Sequence, residues 1–182
     1  MFVRDLQLLN DVLSLTPCFD RYWVWSGLLL GWAREGRVLP HDLRDADFAY
    51  AEEDEPLILD GIEALVRAGF RRGFSLRNNA GQFTEHTVIR HGARFEFFRM
   101  SPVASEWEYQ LYCVDRHLQV QLTARLPRQP LAPFDFVDRK WLKPLDHDQE
   151  LSLAYGDWHT PDPSWDNLEQ GGIVGREEWT GG

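Results

Sequence analysis

The stretch Ser26–Tyr50, SGLLLGWAREGRVLPHDLRDADFAY, decides the fold. Ser26-Gly27 follows an aromatic, β-branched run at Tyr22–Trp25 that reads as a buried strand. It opens a helix, LLLGWARE, which Gly36 ends. After the loop at Pro40, Ala46–Tyr50 reads as a second strand. Residues two apart on a strand share a face at roughly 6.5–7 Å along the backbone. Asp45 and Asp47 therefore stand side by side, while Ala46 and Phe48 point into a core. Two carboxylates so close repel and raise each other's pKa, a cost that a divalent cation removes. Mg²⁺ suits this pair, because it takes one or two carboxylates and completes its shell with water and phosphate oxygens.

The turn before the helix adds a second element of the same chemistry. A glycine lets the backbone approach a ligand closely, and N–H groups at a helix start attract phosphate. Ser26 and Gly27 are thus candidate phosphate-binding residues, and Arg34, later on the same helix, carries a planar fork that suits a phosphate. The competing reading pairs Arg34 with Glu35 or Asp42 at the surface. A third acid is expected on a neighbouring strand. Glu96, between Phe95 and Phe97 in ARFEFFRM, is the candidate, since a carboxylate among large apolar neighbours is costly without a partner. It would bind metal or act as a general base. His41 is expected to order its loop, and His86 and His91 to sit on exposed strand faces.

Outside this region, residues 4–15 place their leucines on one helical face and Pro17 closes the segment. A helix is expected from Leu57 to Ala68 behind the acidic run Glu52–Glu55. Strands are expected at Phe70–Leu76, Thr84–Arg90 and Arg94–Phe98, with two more within 107–126 that turn near Asp115-Arg116. Phe134–Trp141 reads as one further strand and Asp146–Ala154 as a short helix capped by Asp146. These elements describe an α+β protein with a mixed central β-sheet and flanking helices. It forms a single catalytic domain over 1–170, followed by a flexible C-terminal tail over 171–182.

The formal net charge of −10, from 19 Lys+Arg against 29 Asp+Glu, argues against extended nucleic acid as a partner. A metal ion and one or two arginines still create a local positive field for a small phosphorylated ligand. Eight tryptophans are many for this length, and some are expected to line a cleft. Cys18 and Cys113 have neither disulfide-framework nor zinc-site spacing. Charges at Arg4, Asp5 and Asp11 interrupt any signal-peptide core, and no apolar run reaches a membrane span. The expected setting is reducing and cytoplasmic.

GLLLGWAREGRVLPHDLRDADF resembles the signature of the LicD/fukutin family: a Gly-x-Leu-Leu-Gly segment, an Arg, a Pro, and acids ending in Asp-x-Asp. Gly27, Leu29, Leu30, Gly31, Arg34, Pro40, Asp42, Asp45 and Asp47 fall on that pattern, and Tyr155–Asn167, YGDWHTPDPSWDN, is similar to a second family segment. Here Arg44 stands amid the acids, and Glu96 stands where the family usually has Asp. The resemblance implies a nucleotidyltransferase fold and Mg²⁺- or Mn²⁺-dependent transfer of a phospho-substituent from a CDP-activated donor, such as CDP-choline or CDP-ribitol, to a glycan or related hydroxyl acceptor. It implies Asp45, Asp47 and Glu96 as catalytic metal ligands, Ser26, Gly27 and Arg34 at the donor's phosphates, and Asp157 and Trp158 closing over the nucleotide or acceptor. Two alternatives share these residues. One is a minimal nucleotidyltransferase moving a nucleoside monophosphate from an NTP to a small molecule, protein or RNA. The other is a non-catalytic binding module with the same fold.

Overall fold

A computed structural model describes residues 1–181. Among the described residues are four helices and ten strands: α1 (Phe2–Leu13), β1 (Tyr22–Val24), α2 (Ser26–Glu35), β2 (Asp45–Ala51), α3 (Glu55–Arg67), β3 (Arg71–Arg77), β4 (Phe83–Arg90), β5 (Ala93–Val103), β6 (Glu106–Asp115), β7 (Leu118–Pro127), β8 (Leu131–Phe136), β9 (Arg139–Pro144), α4 (His147–Tyr155) and β10 (Ile173–Glu178). The protein is α+β with a mixed central sheet.

Strand β5 is the centre of that sheet. Along Arg94–Met100 it pairs in parallel with β2, and along Ala93–Phe98 it pairs antiparallel with β4, which in turn carries β3. Its last residues, Ser101–Val103, continue into an antiparallel run of β6, β7 and β10. A parallel pair needs a crossover, and α3 lies within the one joining β2 to β5.

The alternation of β2 does what its sequence dictates. Ala46 and Phe48 are fully buried, while Asp45 and Asp47 on the other face keep partial access to solvent. Beneath the buried face lie Leu6, Leu9 and Leu13 of α1 and Ile58, Ile62 and Leu65 of α3, each spaced to put one helical stripe on the sheet. Phe48 stacks on Phe97 at 5.1 Å between ring centroids, and Tyr22 meets Phe48 edge-on at 5.6 Å. Each such side chain contributes about 1.5–3 kcal/mol by leaving water, so this layer is the rigid floor on which the acids stand. Gly31 lets the chain fold back after α2, since a Cβ there would lie 2.7 Å from the Arg37 carbonyl. Gly36 ends the helix in the left-handed conformation, φ 65°.

Three expectations are corrected. Phe134–Trp141 is not one strand but the centre of a hairpin, β8 and β9, turned by Val137-Asp138 at φ 46° and 58°. Two positive φ values make the primed turn that matches strand twist, yet a β-branched valine is an unusual occupant, so its sequence gave no turn signal. Gln7 of α1 donates to the Val137 carbonyl at 3.0 Å and holds the turn. The segment after Gly171, expected as a loose tail, carries β10, whose residues pair with β7 and cover an edge that would otherwise be open. His86 is buried rather than exposed: its ring nitrogens meet Ser75 Oγ at 2.9 Å and Glu55 Oε1 at 3.1 Å, and burial pushes its pKa down. His91 is half-exposed and lies in the β4–β5 turn beside Asp5. Among the described residues no helix is long and apolar enough to cross a membrane.

Candidate active site

The parallel pairing of β2 with β5 sets Asp45 opposite Arg94 and Asp47 opposite Glu96. Partners on paired strands share a face, so all four side chains project to the same side of the sheet. One carboxylate oxygen from each of Asp45, Asp47 and Glu96 lies within 4.8 Å of the others. Antiparallel pairing of β4 puts Thr87 opposite Glu96, and Glu85, two residues earlier, shares that face. Asp42, in the short helical turn before β2, completes the acidic wall of the cleft.

Concentrating these acids has an electrostatic consequence. Burial, then the charges of Asp45 and Glu96, hold the Asp47 carboxyl well above the usual carboxylate range. Burial also raises Glu96 and Glu85, each pushed further by the other acids nearby. Asp45 and Asp42 are raised by burial as well. Arg94 partly compensates, donating to Asp45 Oδ2 at 2.7 Å. It also stands 3.3 Å from Glu96 Oε1, but out of hydrogen-bond alignment, so that oxygen and Asp45 Oδ1 are buried without a donor. Two orphaned carboxylate oxygens and a third acid at this spacing fit a divalent ion that prefers oxygen, and Mg²⁺ or Mn²⁺ matches that donor set.

The Ser-Gly turn sits directly beside the acids. The Trp25 N–H donates to the Asp47 carbonyl at 3.1 Å, which ties the start of α2 to the backbone of β2. Ser26 has φ 50°, a strained value for a residue other than glycine, and its hydroxyl meets Tyr155 Oη at 3.1 Å. A Cβ at Gly27 would lie 3.0 Å from Asp42 Oδ2, so here the glycine makes room for a carboxylate.

These groups line one cleft of about 830 Å³ between the acidic sheet face and the chain after α4. Its size falls in the range of small-ligand and cofactor sites. Ser26, Gly27, Arg34, Asp45, Asp47, Glu96 and Trp158 all contribute to it, and Trp25, Phe98, Tyr112 and Trp165 supply aromatic surface. Arg34 is mostly buried. It donates to the Trp158 carbonyl at 3.5 Å, lies 3.7 Å from Glu35, and leaves its Nε without a partner. Proximity to Glu35 and a place on the cleft wall therefore coexist. Trp158 is buried with an unpartnered Nε1. Asp157 does not line the cleft: it is exposed and accepts from Thr160 Oγ1 at 2.9 Å, acting as the cap of its own turn.

Sequence reasoning missed Glu85, Arg94 and Tyr155. The first two depend on which residues of β4, β5 and β2 face each other, and register is not written in any single strand. Tyr155 sits within the downstream segment YGDWHTPDPSWDN, so that motif was the available signal. A family model described as LicD/FKTN/FKRP, nucleotidyltransferase domain, matches residues 20–113, from just before β1 almost to the end of β6. No curated protein matches the chain.

Proposed function

Because the chain belongs to the LicD/FKTN/FKRP nucleotidyltransferase-domain family, we propose that it is a metal-dependent transferase. It moves a phospho-substituent, such as phosphocholine or ribitol phosphate, from a CDP-activated donor to a hydroxyl of a glycan or related acceptor. The observation that carries this reading is the meeting of Asp45, Asp47 and Glu96 oxygens within 4.8 Å at the floor of the cleft.

Asp45, Asp47 and Glu96 would hold the divalent ion, which when bound supplies charge stabilisation to the donor's phosphates. Ser26, Gly27 and the N-terminal turn of α2 face those phosphates, and Arg34 approaches from the far end of the same helix. Trp158 and the neighbouring aromatic surface pack against the ring portion of the donor. The acceptor oxygen bonds to the β-phosphorus as the bond to the bridging oxygen breaks, and CMP leaves with the bridging oxygen. Glu85 lines the cleft on the same sheet face without being needed as a ligand, and it would take the acceptor's proton.

CDP should bind the full chain in calorimetry with Mg²⁺ and lose about tenfold or more in affinity in EDTA, since the ion bridges protein and phosphate. With a CDP-linked donor and a hydroxyl acceptor, CMP should be released. Equal CDP binding with and without metal would refute the reading. Label from an NTP reaching an acceptor as a nucleoside monophosphate would replace it with nucleotidyl transfer.

A further inference from the structure

The guanidinium of Arg94 stands among the acids that the metal-dependent reading assigns to the ion. It lies 2.7 Å from Asp45 Oδ2 and 3.3 Å from Glu96 Oε1, so a side-chain cation bridges two of the three acids proposed as ligands. Among the described residues no other Lys, Arg or His side chain comes within ion-pair distance of Asp45, Asp47 or Glu96. The backbone of Arg94 is fixed in β5 opposite Asp45. Its side chain is 46% exposed to the cleft and makes no hydrogen bond except to Asp45. Such a half-exposed pair is weak in water and easily exchanged.

We propose that Arg94 is the resident counter-cation of this carboxylate cluster. It neutralises Asp45 and Glu96 while no metal is present, gives way to a divalent ion, and then turns its planar fork to the phosphate oxygens of the donor. The inference rests on the metal-dependent reading above. The physical basis is repulsion between two cations at one carboxylate cluster: Glu96 Oε1, 3.3 Å from the guanidinium, is also one of the orphaned oxygens that the ion would take. A guanidinium this close repels a divalent ion held by the same carboxylates, and a released arginine beside a bound diphosphate finds the bidentate partner it fits best. Arg94 thus couples the two ligands: without metal it screens the acids, and with metal it strengthens the grip on phosphate.

Arg94→Met keeps the bulk of the side chain and removes its charge. In the full chain without nucleotide, Mn²⁺ should bind the variant about tenfold more tightly than wild type, as the competitor is gone. The melting temperature in EDTA should fall, because the acids lose their counter-ion, and the affinity for CDP with Mn²⁺ present should weaken about tenfold. A merely structural role would weaken Mn²⁺ binding and stability together. Arg34→Met, which removes a cleft charge unpaired with these acids, should stay within about threefold of wild type for Mn²⁺. If Arg94→Met does not fold, Arg94→Gln carries the same expectations. Equal or weaker Mn²⁺ binding by the Arg94 variants would overturn the inference and leave the transferase reading intact. Absence of Mn²⁺ binding in wild type and variants alike would overturn both.

Discussion

Asp47→Asn is expected to slow CMP release by about a hundredfold or more while raising the melting temperature of the metal-free protein. The loss follows from geometry: Asp47 is the middle member of the triad, and its oxygen lies within 4.8 Å of those from Asp45 and Glu96. Removing a ligand that supports several kcal/mol of charge stabilisation lowers the rate by about a hundredfold to a thousandfold. The gain follows from electrostatics. Burial and the two flanking acids raise the folded-state pKa of Asp47, so the folded protein holds a proton that the unfolded chain releases. With the folded pKa above the unfolded one, stability declines as pH rises past the ordinary carboxylate range. A neutral amide does not suffer that decline. The variant should therefore melt above wild type at neutral pH, with the difference closing as the pH falls into the ordinary carboxylate range. Thermal melts in EDTA and a CMP-release assay on the same preparations check both halves. A variant that loses both activity and stability would show that Asp47 is held for packing.

Glu150→Gln is expected to stabilise the protein strongly at alkaline pH and hardly at all at pH 5. Glu150 lies on α4, is buried, and has no hydrogen-bond partner for Oε1. Burial alone pushes its pKa up to about 8. The sign is that of a raised carboxylate: the folded state keeps a proton between the ordinary value near 4.5 and about 8, and the unfolded chain does not. Stability from this group is therefore full below the unfolded pKa and lost as pH rises through that window. Glutamine mimics the protonated acid at every pH. At pH 9 the variant should exceed wild type by about 2–4 kcal/mol, or about 5–15 °C, with the difference vanishing near pH 5. A difference independent of pH would mean that Glu150 is ionised or solvated in the folded protein. The effect bears on the cleft, because Glu150 shares a small cavity of about 20 Å³ with Ser26, Tyr155 and Tyr109, directly behind the start of α2.

Much of the site was legible because it is local. The strand alternation around Asp45 and Asp47, the Ser-Gly start of α2 and the left-handed Gly36 each lie within a few residues, where spacing alone dictates direction. Glu96 was legible for a different reason, as a carboxylate that apolar neighbours could not tolerate unpaired. What escaped depends on contacts between distant segments. Glu85 reaches the site only because Thr87 pairs with Glu96, and Arg94 only because β2 runs parallel to β5. The hairpin at Val137-Asp138 escaped because α1 holds a turn that the two residues would not choose themselves. The strand Ile173–Glu178 escaped because its glycine and charges say nothing of the free edge of β7 that it covers. Trp158 and Asp157, adjacent in sequence, diverge in space: one enters the cleft and the other caps a surface turn.

The central claim is that Asp45, Asp47 and Glu96 form one binding site for a divalent ion. Anomalous diffraction from a crystal soaked in Mn²⁺ tests it most directly. The account predicts a single strong peak at about 2.1–2.3 Å from an oxygen of each of the three carboxylates, with Arg94 displaced from Asp45. A peak elsewhere, or none in the cleft with Arg94 still bridging Asp45 and Glu96, would contradict it.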